Sequence, residues 1–132
     1  MQTDYIFVYG TLRSGCSTGA HHTYLAGATF IAPAKIKGKL FKVSYYPALI
    51  IDEVADWVVG EVYQLASAEQ LTVLDTYEEC TYPAQPEQEY QRRKVTVLTD
   101  AGEYLSVWVY AYQHASAHLE FIASGDFLNP LP

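Results

Sequence analysis

A glutamate, Glu78, lies on the apolar stripe of the clearest predicted helix in the sequence, SAEQLTVLDTYEE. At about 100° per residue, Leu71, Leu74 and Glu78 fall within about 60° of one another and share the core-facing side. Glu79 lies about 80° from Leu71 and can reach solvent. A carboxylate among leucines and aromatic side chains is costly unless it is hydrogen-bonded or its pKa rises. Because carboxyl groups with a raised pKa are the usual general acids and bases of pockets, Glu78 is a candidate catalytic base.

A second interpretation of Glu78 stays open. Pro83 and the loop after it allow the helix to end before residue 78, which would make Glu78 a solvated or salt-bridged residue at the helix C-terminus. Asp75 is the inward-leaning alternative carboxylate, although its position just off the stripe favours a cap or a salt bridge. Arg92, in EYQRR, is available to pair with one of the acids.

A glycine-bounded loop follows the first predicted strand, in DYIFVYGTLRSG at residues 4–15. Tyr5 to Tyr9 is apolar on both faces, which is typical of a central strand. A tight glycine loop after a strand can hold an anion or an oxyanion with its backbone N–H groups. The loop lacks the Gly-Lys-Ser/Thr of a P-loop and the third glycine of a dinucleotide fingerprint, which argues against nucleotide binding.

Other reactive residue types give weaker patterns. Cys16 with His21 or His22 could form a nucleophile and its base, but neighbours in sequence seldom orient as neighbours in space. His114 and His118 have the i, i+4 spacing of metal ligands on a helix, without a third ligand nearby. No metal site is therefore predicted.

The elements that must position these residues are mostly strands. Residues 27–43 are predicted to be extended, with interruptions at Pro33 and Gly38. The stretch DWVVGEVYQL, residues 56–65, predicts another strand, with Gly60 as a candidate bulge. Short helical turns are predicted in CSTGAHHTYL and in the tail HLEFIASGDF.

One helix and one hairpin give the strongest local signals. Ser67 is a favourable N-cap residue, and Gln70 three residues later completes a capping box. EYQRRKVTVLT and YLSVWVYAYQ form a hairpin around the turn at residues 100–103. The second arm is apolar on both faces: one face carries Leu105, Val107, Val109 and Ala111, and the other carries Trp108, Tyr110 and Tyr112. We therefore predict an α+β fold, a small mixed β-barrel with one or two flanking helices, in a single domain over residues 1–132.

Composition narrows the class of partner. Fifteen acids against eight bases give a net charge of −7, and Arg92-Arg93-Lys94 is the only basic cluster, so nucleic acid is not an expected partner. The most apolar run, YYPALII, is too short to span a bilayer, and no signal segment opens the chain. Cys16 and Cys80 are expected to be free thiols of a cytoplasmic protein, with a disulfide between them as the alternative.

Two motifs together point to a family. FVYGTLRSG, followed by GEVYQL, LTVLDTYEE and EYQRRKVTV, resembles the γ-glutamylcyclotransferase-like proteins, especially the γ-glutamylamine cyclotransferase type. The similarity extends from residue 5 to about residue 112, and SGDF near the end is similar to the closing segment of the family. One departure is the segment after the loop, where Ala20-His21-His22 replaces the family's common Asn-His pair.

The resemblance implies a fold, a site and a reaction. The family fold is a small β-barrel with flanking helices. Its loop of the Tyr-Gly-Thr-Leu type binds substrate, which corresponds here to Tyr9, Gly10, Thr11 and Leu12, and its glutamate, here Glu78, accepts a proton. The implied reaction closes a γ-glutamyl group of a small amine or peptide to 5-oxoproline and releases the amine, with no cofactor. The alternative is a non-catalytic module of the same fold that binds a small acid.

Overall fold

The computed structural model describes residues 4–16, 19–44, 46–81 and 85–129. The described residues contain two helices and seven strands. In chain order these are β1 (Tyr5–Val8), α1 (Ala20–Tyr24), β2 (Thr29–Lys42), β3 (Pro47–Ile51), β4 (Trp57–Gln64), α2 (Ala68–Tyr77), β5 (Tyr90–Thr99), β6 (Tyr104–Tyr112) and β7 (Glu120–Phe121). No helix among the described residues is long and apolar enough to cross a membrane.

Five strands close into a barrel. Their order is β2-β4-β1-β6-β5, and β5 pairs back with β2 to complete the ring. β1 and β6 run parallel and the other pairs in the ring are antiparallel, so the barrel is mixed. β3 and β7 pair with the far end of β2. The predicted fold class is confirmed.

Apolar side chains pack on both faces of this sheet. One cluster is built mostly from strand residues, among them Phe7 and Val107. The other includes Leu71 and Leu74 of α2 together with Tyr110. Successive side chains of β6 alternate between the two clusters, because side chains of a strand point to opposite faces in turn. The prediction that β6 is buried on both faces is confirmed.

The predicted interruptions of the long strand are wrong, because β2 is continuous through Pro33 and Gly38. Pro33 follows an irregularity in the pairing with β4, between Phe30 and Ala32, where a residue without an N–H is easily accommodated. At Gly38 a Cβ would lie 2.7 Å from the carbonyl oxygen of Ile50, so the glycine lets β3 approach closely.

The candidate bulge at Gly60 is also wrong. Pairing with β2 is in register on both sides of Gly60, and the pairing with β1 is in register up to Glu61. A Cβ at this position would lie 2.3 Å from the Val8 carbonyl oxygen and 2.7 Å from the Phe7 ring. The residue is therefore a glycine because β1 and the Phe7 side chain pack directly against the backbone of β4.

Helix α2 begins where the sequence predicts, but its capping differs. Ser67 is the N-cap residue, yet its hydroxyl makes no capping hydrogen bond. Gln70 accepts a hydrogen bond from the Ala66 N–H at 2.7 Å and donates to the carbonyls of Tyr24 at 3.2 Å and Ala26 at 3.1 Å. The capping box is thus replaced by a contact that ties α2 to the end of α1.

The predicted hairpin is confirmed as β5 and β6. Gly102, in the turn between them, has φ of +86°, a conformation that favours glycine. The helical turn predicted after the glycine-bounded loop, in CSTGAHHTYL, is α1. The helical turn predicted in the tail is wrong, since Glu120–Phe121 forms β7 beside β2.

Candidate active site

A pocket of about 470 Å³ lies where the loop after β1 meets the C-terminal end of α2. The loop contributes Tyr9, Gly10, Thr11 and Leu12, and the helix end contributes Tyr77, Glu78 and Glu79. The structure therefore brings together every residue that the sequence analysis assigned to the site. Cys16 and His22 are not among the described residues that line it. Pro83 and the side chain of His21 lie outside the described residues.

The end of α2 directs Glu78 towards the pocket. The helix ends at Tyr77, so the second interpretation is right about the helix boundary. The N–H of Glu78 nevertheless donates to the Leu74 carbonyl at 2.9 Å, which extends the helical path by one residue. The Glu78 side chain consequently keeps the inward direction that the periodicity predicts.

The chain then reverses through a Schellman motif. The N–H of Glu79 donates to the Thr76 carbonyl at 3.1 Å, and that of Cys80 to the Asp75 carbonyl at 2.8 Å. Glu79 occupies the left-handed position, with φ of 57°, and is the only non-glycine residue with positive φ in the described ranges. This reversal separates the two neighbouring glutamates, so Glu78 faces the pocket interior and Glu79 is exposed at its edge.

The Glu78 carboxyl group is desolvated. The residue as a whole keeps some exposure because it borders the pocket, whereas the carboxyl group itself is enclosed by protein atoms. This burial raises the pKa of Glu78 from 4.5 to about 7. Within the described part of the chain, no side chain forms a hydrogen bond or ion pair with the carboxyl group that would offset the cost of burying its charge.

Three buried tyrosines surround this carboxyl group, and their hydroxyl protons are committed elsewhere. Tyr9 donates to the carbonyl oxygen of Tyr110 at 2.5 Å. Tyr90 donates to the carbonyl oxygen of Pro47 at 2.5 Å. Tyr110 donates to Oδ1 of Asp75 at 2.7 Å. None of these three hydrogen bonds is directed to the candidate base.

These phenols are not acid–base groups at neutral pH. Burial is the main cause that raises the pKa of Tyr9, Tyr90 and Tyr110, and the nearby charge of Glu78 raises each pKa further. The phenols therefore keep their protons near pH 7, where Glu78 is close to half ionised. The charge of Glu78 therefore changes in the physiological range.

The loop offers backbone donors. Its turn is closed by a hydrogen bond from the Arg13 N–H to the Gly10 carbonyl at 3.0 Å. In the described residues no protein acceptor takes the N–H groups of Gly10 and Leu12. The Thr11 hydroxyl lies 2.6 Å from that of Tyr77, which fixes the loop against the last residue of α2. The N–H groups of the turn can therefore bind an anionic oxygen of a ligand.

Gly10 is required by a close approach within the pocket wall. A Cβ on Gly10 would lie 2.6 Å from both Cδ and Cγ of Pro47, the first residue of β3. The φ of Gly10 is not positive, so space rather than backbone conformation excludes other residues. The hydrogen bond from Tyr90 holds Pro47 in this position.

Comparison with known proteins identifies the family. Residues 6–129 match the family described as gamma-glutamyl cyclotransferase, AIG2-like. The chain belongs to this family. The resemblance stated from the sequence motifs is thereby confirmed.

Two relatives of this chain have names of the same family. A protein of Methanocaldococcus jannaschii, provisionally named a γ-glutamylcyclotransferase, is 33% identical over 125 residues, 94% of this chain and 95% of that protein. The γ-L-glutamyl-butirosin B γ-glutamyl cyclotransferase of Niallia circulans is 34% identical over 109 residues, 81% of this chain and 65% of that protein.

Solved structures of similar proteins share the fold. The crystal structure of YkqA from Bacillus subtilis superposes with a TM-score of 0.71 at 28% identity, over 96% of this chain and 40% of that chain. An AIG2-like protein from Mus musculus superposes with a TM-score of 0.71 at 23% identity, over 93% of this chain and 88% of that chain.

The residues that anchor the loop were not predicted from the sequence. Arg13 pairs through Nε with Glu61 at 3.3 Å and through Nη1 with Asp126 at 2.7 Å. Glu61 also accepts the Ser14 N–H at 3.0 Å. A buried glutamate in the apolar strand GEVYQL was the available signal, since buried charges are normally paired.

The expected ion pair of Asp75 is confirmed. Its Oδ1 lies 3.2 Å from Nε of Arg92, whose Cζ lies 4.4 Å from the centroid of the Trp108 ring. The expectation that Arg92 pairs with an acid is confirmed by the same contact.

The cysteines are free thiols, as expected. Burial raises the pKa of Cys80 to about 12, and the thiol donates to the Tyr90 carbonyl at 3.1 Å. Within the described ranges, no group of three or more His, Cys, Asp or Glu side chains could hold a metal ion.

Proposed function

We propose that this chain is a cyclotransferase that closes the γ-glutamyl group of a small amine or peptide to 5-oxoproline and releases the amine. The observation that carries the proposal is the placement of Glu78. Its carboxyl group, with a pKa of about 7, belongs to the same pocket as the residues of the loop. The relative from Niallia circulans, named as a γ-glutamyl cyclotransferase of γ-L-glutamyl-butirosin B, supports this reaction class.

The chemistry needs one base and one oxyanion site. The Glu78 carboxylate takes a proton from the substrate's α-ammonium group, and the freed amine attacks the γ-carbonyl carbon to form a C–N bond. The N–H groups of Gly10 and Leu12 stabilise the oxyanion of the tetrahedral intermediate. Glu78 then gives this proton to the leaving nitrogen and the original C–N bond breaks. The ring nitrogen still carries a second proton, which Glu78 transfers to the released amine, so that the amine departs as an ammonium ion and Glu78 is again a carboxylate. The reaction is redox-neutral and needs no cofactor.

The remaining site residues act by holding the substrate. Both reacting groups belong to one molecule, so the pocket gains most by keeping the amine close to the γ-carbonyl. Thr11 fixes the loop through Tyr77, Leu12 fills the core beneath it, and Tyr9 forms the floor with its hydroxyl bound to the protein. Substrate contacts of this loop are therefore assigned to its backbone.

The experiment that tests the function is incubation of the protein with γ-glutamyl amines and γ-glutamyl peptides, followed by assay of 5-oxoproline. Release above the uncatalysed rate supports the cyclotransferase. Calorimetric binding of 5-oxoproline without any release favours the alternative, a non-catalytic small-acid-binding module of the same fold.

The pH dependence of kcat/KM is a direct check on Glu78. Only the ionised carboxylate accepts a proton, and burial raises its pKa to about 7. Activity should therefore be low at pH 5 and rise about tenfold per pH unit until it levels off near pH 7. The measurement is initial rate against pH at substrate concentrations well below KM. A profile that is flat down to pH 5 contradicts the assignment.

The charge of the pocket predicts a preference among leaving amines. Glu79 and Glu89 also line the pocket, and its described lining includes no Lys, Arg or His. The γ-glutamyl amide of 1,4-diaminobutane should therefore have a KM up to about fivefold lower than the uncharged-tail amide of butylamine. Glu89→Gln should reduce this ratio and Glu69→Gln, on an exposed position of α2, should not. Equal KM values in low salt would refute the preference.

A further inference from the structure

The hydroxyl groups of Tyr90 and Tyr110, which line the pocket together with Glu78, have only acceptor capacity left for a ligand. A phenol has one proton and two lone pairs, and the protons of Tyr90 and Tyr110 are donated to Pro47 and Asp75. Lone pairs are all that these two hydroxyl groups have left for a ligand. Together with the Glu78 carboxylate they suit a group that carries several N–H donors.

We propose that Asp75 is a positioning residue: its Oδ1 takes the hydroxyl proton of Tyr110, so that Tyr110 offers the pocket an oxygen acceptor, binds the substrate's α-ammonium group and gives no hydrogen bond to Glu78. This inference rests on the proposed function for the identity of the ammonium group. The hydrogen-bond arrangement itself is independent of turnover.

Contacts with Tyr110 and Arg92 hold the Asp75 carboxylate in the position where it orients the Tyr110 hydroxyl group. Its Oδ1 accepts the hydrogen bond from Tyr110 and forms an ion pair with Nε of Arg92 at 3.2 Å. Stacking on Trp108 fixes the guanidinium group in turn. A hydrogen bond to an ionised acceptor is about twice as strong as one between neutral groups, which favours this orientation of the Tyr110 proton.

Without Asp75 as its acceptor, the hydroxyl proton of Tyr110 would be within reach of Glu78. Asp75 and Glu78 are three residues apart at the end of the same helix, where side chains are neighbours at about 5–6 Å between Cβ atoms. A Tyr110 hydroxyl that lost Asp75 could turn to the Glu78 carboxylate, and a donated hydrogen bond lowers a carboxyl pKa. The orientation set by Asp75 therefore preserves the basicity of Glu78.

Every ionisable group near Glu78 has to be considered in the test. Among the described residues they are Tyr9 after β1, Tyr46 before β3, Asp75, Tyr77, Glu79 and Cys80 at the end of α2, Glu89, Tyr90 and Arg92 at and around the start of β5, and Tyr110 on β6. Substitution of Asp75 alone changes both a hydrogen bond and a charge, so a pair of variants is needed to separate them.

The experiment measures the pKa of Glu78 in the whole chain by NMR of ¹³C-labelled glutamate carboxyl groups, with Glu78→Gln assigning the signal. Tyr110→Phe should leave this pKa within about 0.3 of the wild-type value, because Tyr110 donates nothing to Glu78. Asp75→Ala should lower it by about 1, and adding Tyr110→Phe to Asp75→Ala should recover most of the fall. Asp75→Asn keeps an acceptor at Oδ1 and should have a smaller effect than Asp75→Ala. Glu69→Gln is the control.

Two results would overturn the inference. A rise of about 1 in the pKa of Glu78 on Tyr110→Phe shows that Tyr110 donates to Glu78 in the native protein. Equal pKa values for Asp75→Ala with and without Tyr110→Phe show that only charge is involved. If Asp75→Ala does not fold, Tyr110→Phe alone still shows whether Tyr110 donates a hydrogen bond to Glu78.

Steady-state kinetics test the binding of the ammonium group by Tyr110 separately from the pKa of Glu78. Tyr110→Phe should raise KM for a γ-glutamyl amine roughly tenfold, because an acceptor for a charged group is lost, with a smaller change in kcat. An unchanged KM overturns the ammonium assignment. If the wild-type protein releases no 5-oxoproline while the pKa pattern is found, the proposed function is wrong and the role of Asp75 in orienting Tyr110 stands.

Discussion

Replacement of Glu78 by glutamine is expected to lower kcat by on the order of 10²-fold or more, the usual contribution of a general base. Glutamine keeps the shape of the side chain and cannot accept the substrate proton. Substrate binding should be largely retained, because the loop and the tyrosines that form the pocket are unchanged. The measurement is steady-state release of 5-oxoproline at pH 8, where the wild-type carboxyl group is ionised.

The neighbouring glutamate supplies a matched control. Glu79→Gln removes the same charge one residue away, from an exposed side chain at the pocket edge. Its kcat should stay within a few-fold of wild type. Glu78→Gln activity in that same range would remove Glu78 from the mechanism.

The stability of Glu78→Gln distinguishes lost chemistry from lost folding. The pKa of Glu78 is about 7 in the folded chain against an ordinary value of 4.5, so the folded state binds this proton more tightly. The resulting stabilisation is complete below about pH 4.5 and is lost as pH rises through about 7. At pH 8 the ionised wild-type residue therefore destabilises the fold by up to about 3 kcal/mol, which the variant avoids. We expect the Tm of Glu78→Gln, relative to wild type, to be higher at pH 8 than at pH 5.

The sequence predicted what local periodicity determines. The 3.6-residue repeat placed Glu78 with Leu71 and Leu74, and the two-residue repeat of β6 gave its two buried faces. Glu78 faces inward even though α2 ends one residue earlier, because its N–H still follows the helical hydrogen-bond pattern. The helical side-chain direction therefore continues one residue beyond the end of α2.

The sequence could not predict contacts that depend on barrel closure. Arg13 meets Asp126, 113 residues away in the chain, only because the tail returns across β4 to the loop. Tyr110 meets Asp75 because β6 passes under α2. The glycines show the same limit: Gly10 and Gly60 are explained by what packs against them, and sequence spacing carries no information about that neighbour.

Replacement of Gly10 by alanine is expected to lower the affinity for 5-oxoproline at least about tenfold and to destabilise the fold by about 1–3 kcal/mol. The added Cβ would lie 2.6 Å from two ring atoms of Pro47, so the pocket wall must move. Affinity is measured by calorimetry and stability by thermal unfolding followed by circular dichroism. Thr11→Ser is the control, because it keeps the hydroxyl that bonds to Tyr77, and its affinity should match wild type.

A second substitution separates two roles of Gly10, direct contact with the ligand and packing against Pro47. Pro47→Ala removes both ring atoms that Gly10→Ala would strike, so the double variant should recover most of the Tm difference, with Pro47→Ala alone as its reference. If the ligand lies directly against the backbone of Gly10, the Cβ still blocks it, and the double variant binds 5-oxoproline as weakly as Gly10→Ala. If the glycine serves only to let Pro47 pack against the loop, stability and affinity recover together, and the substrate contacts have to be sought elsewhere in the pocket.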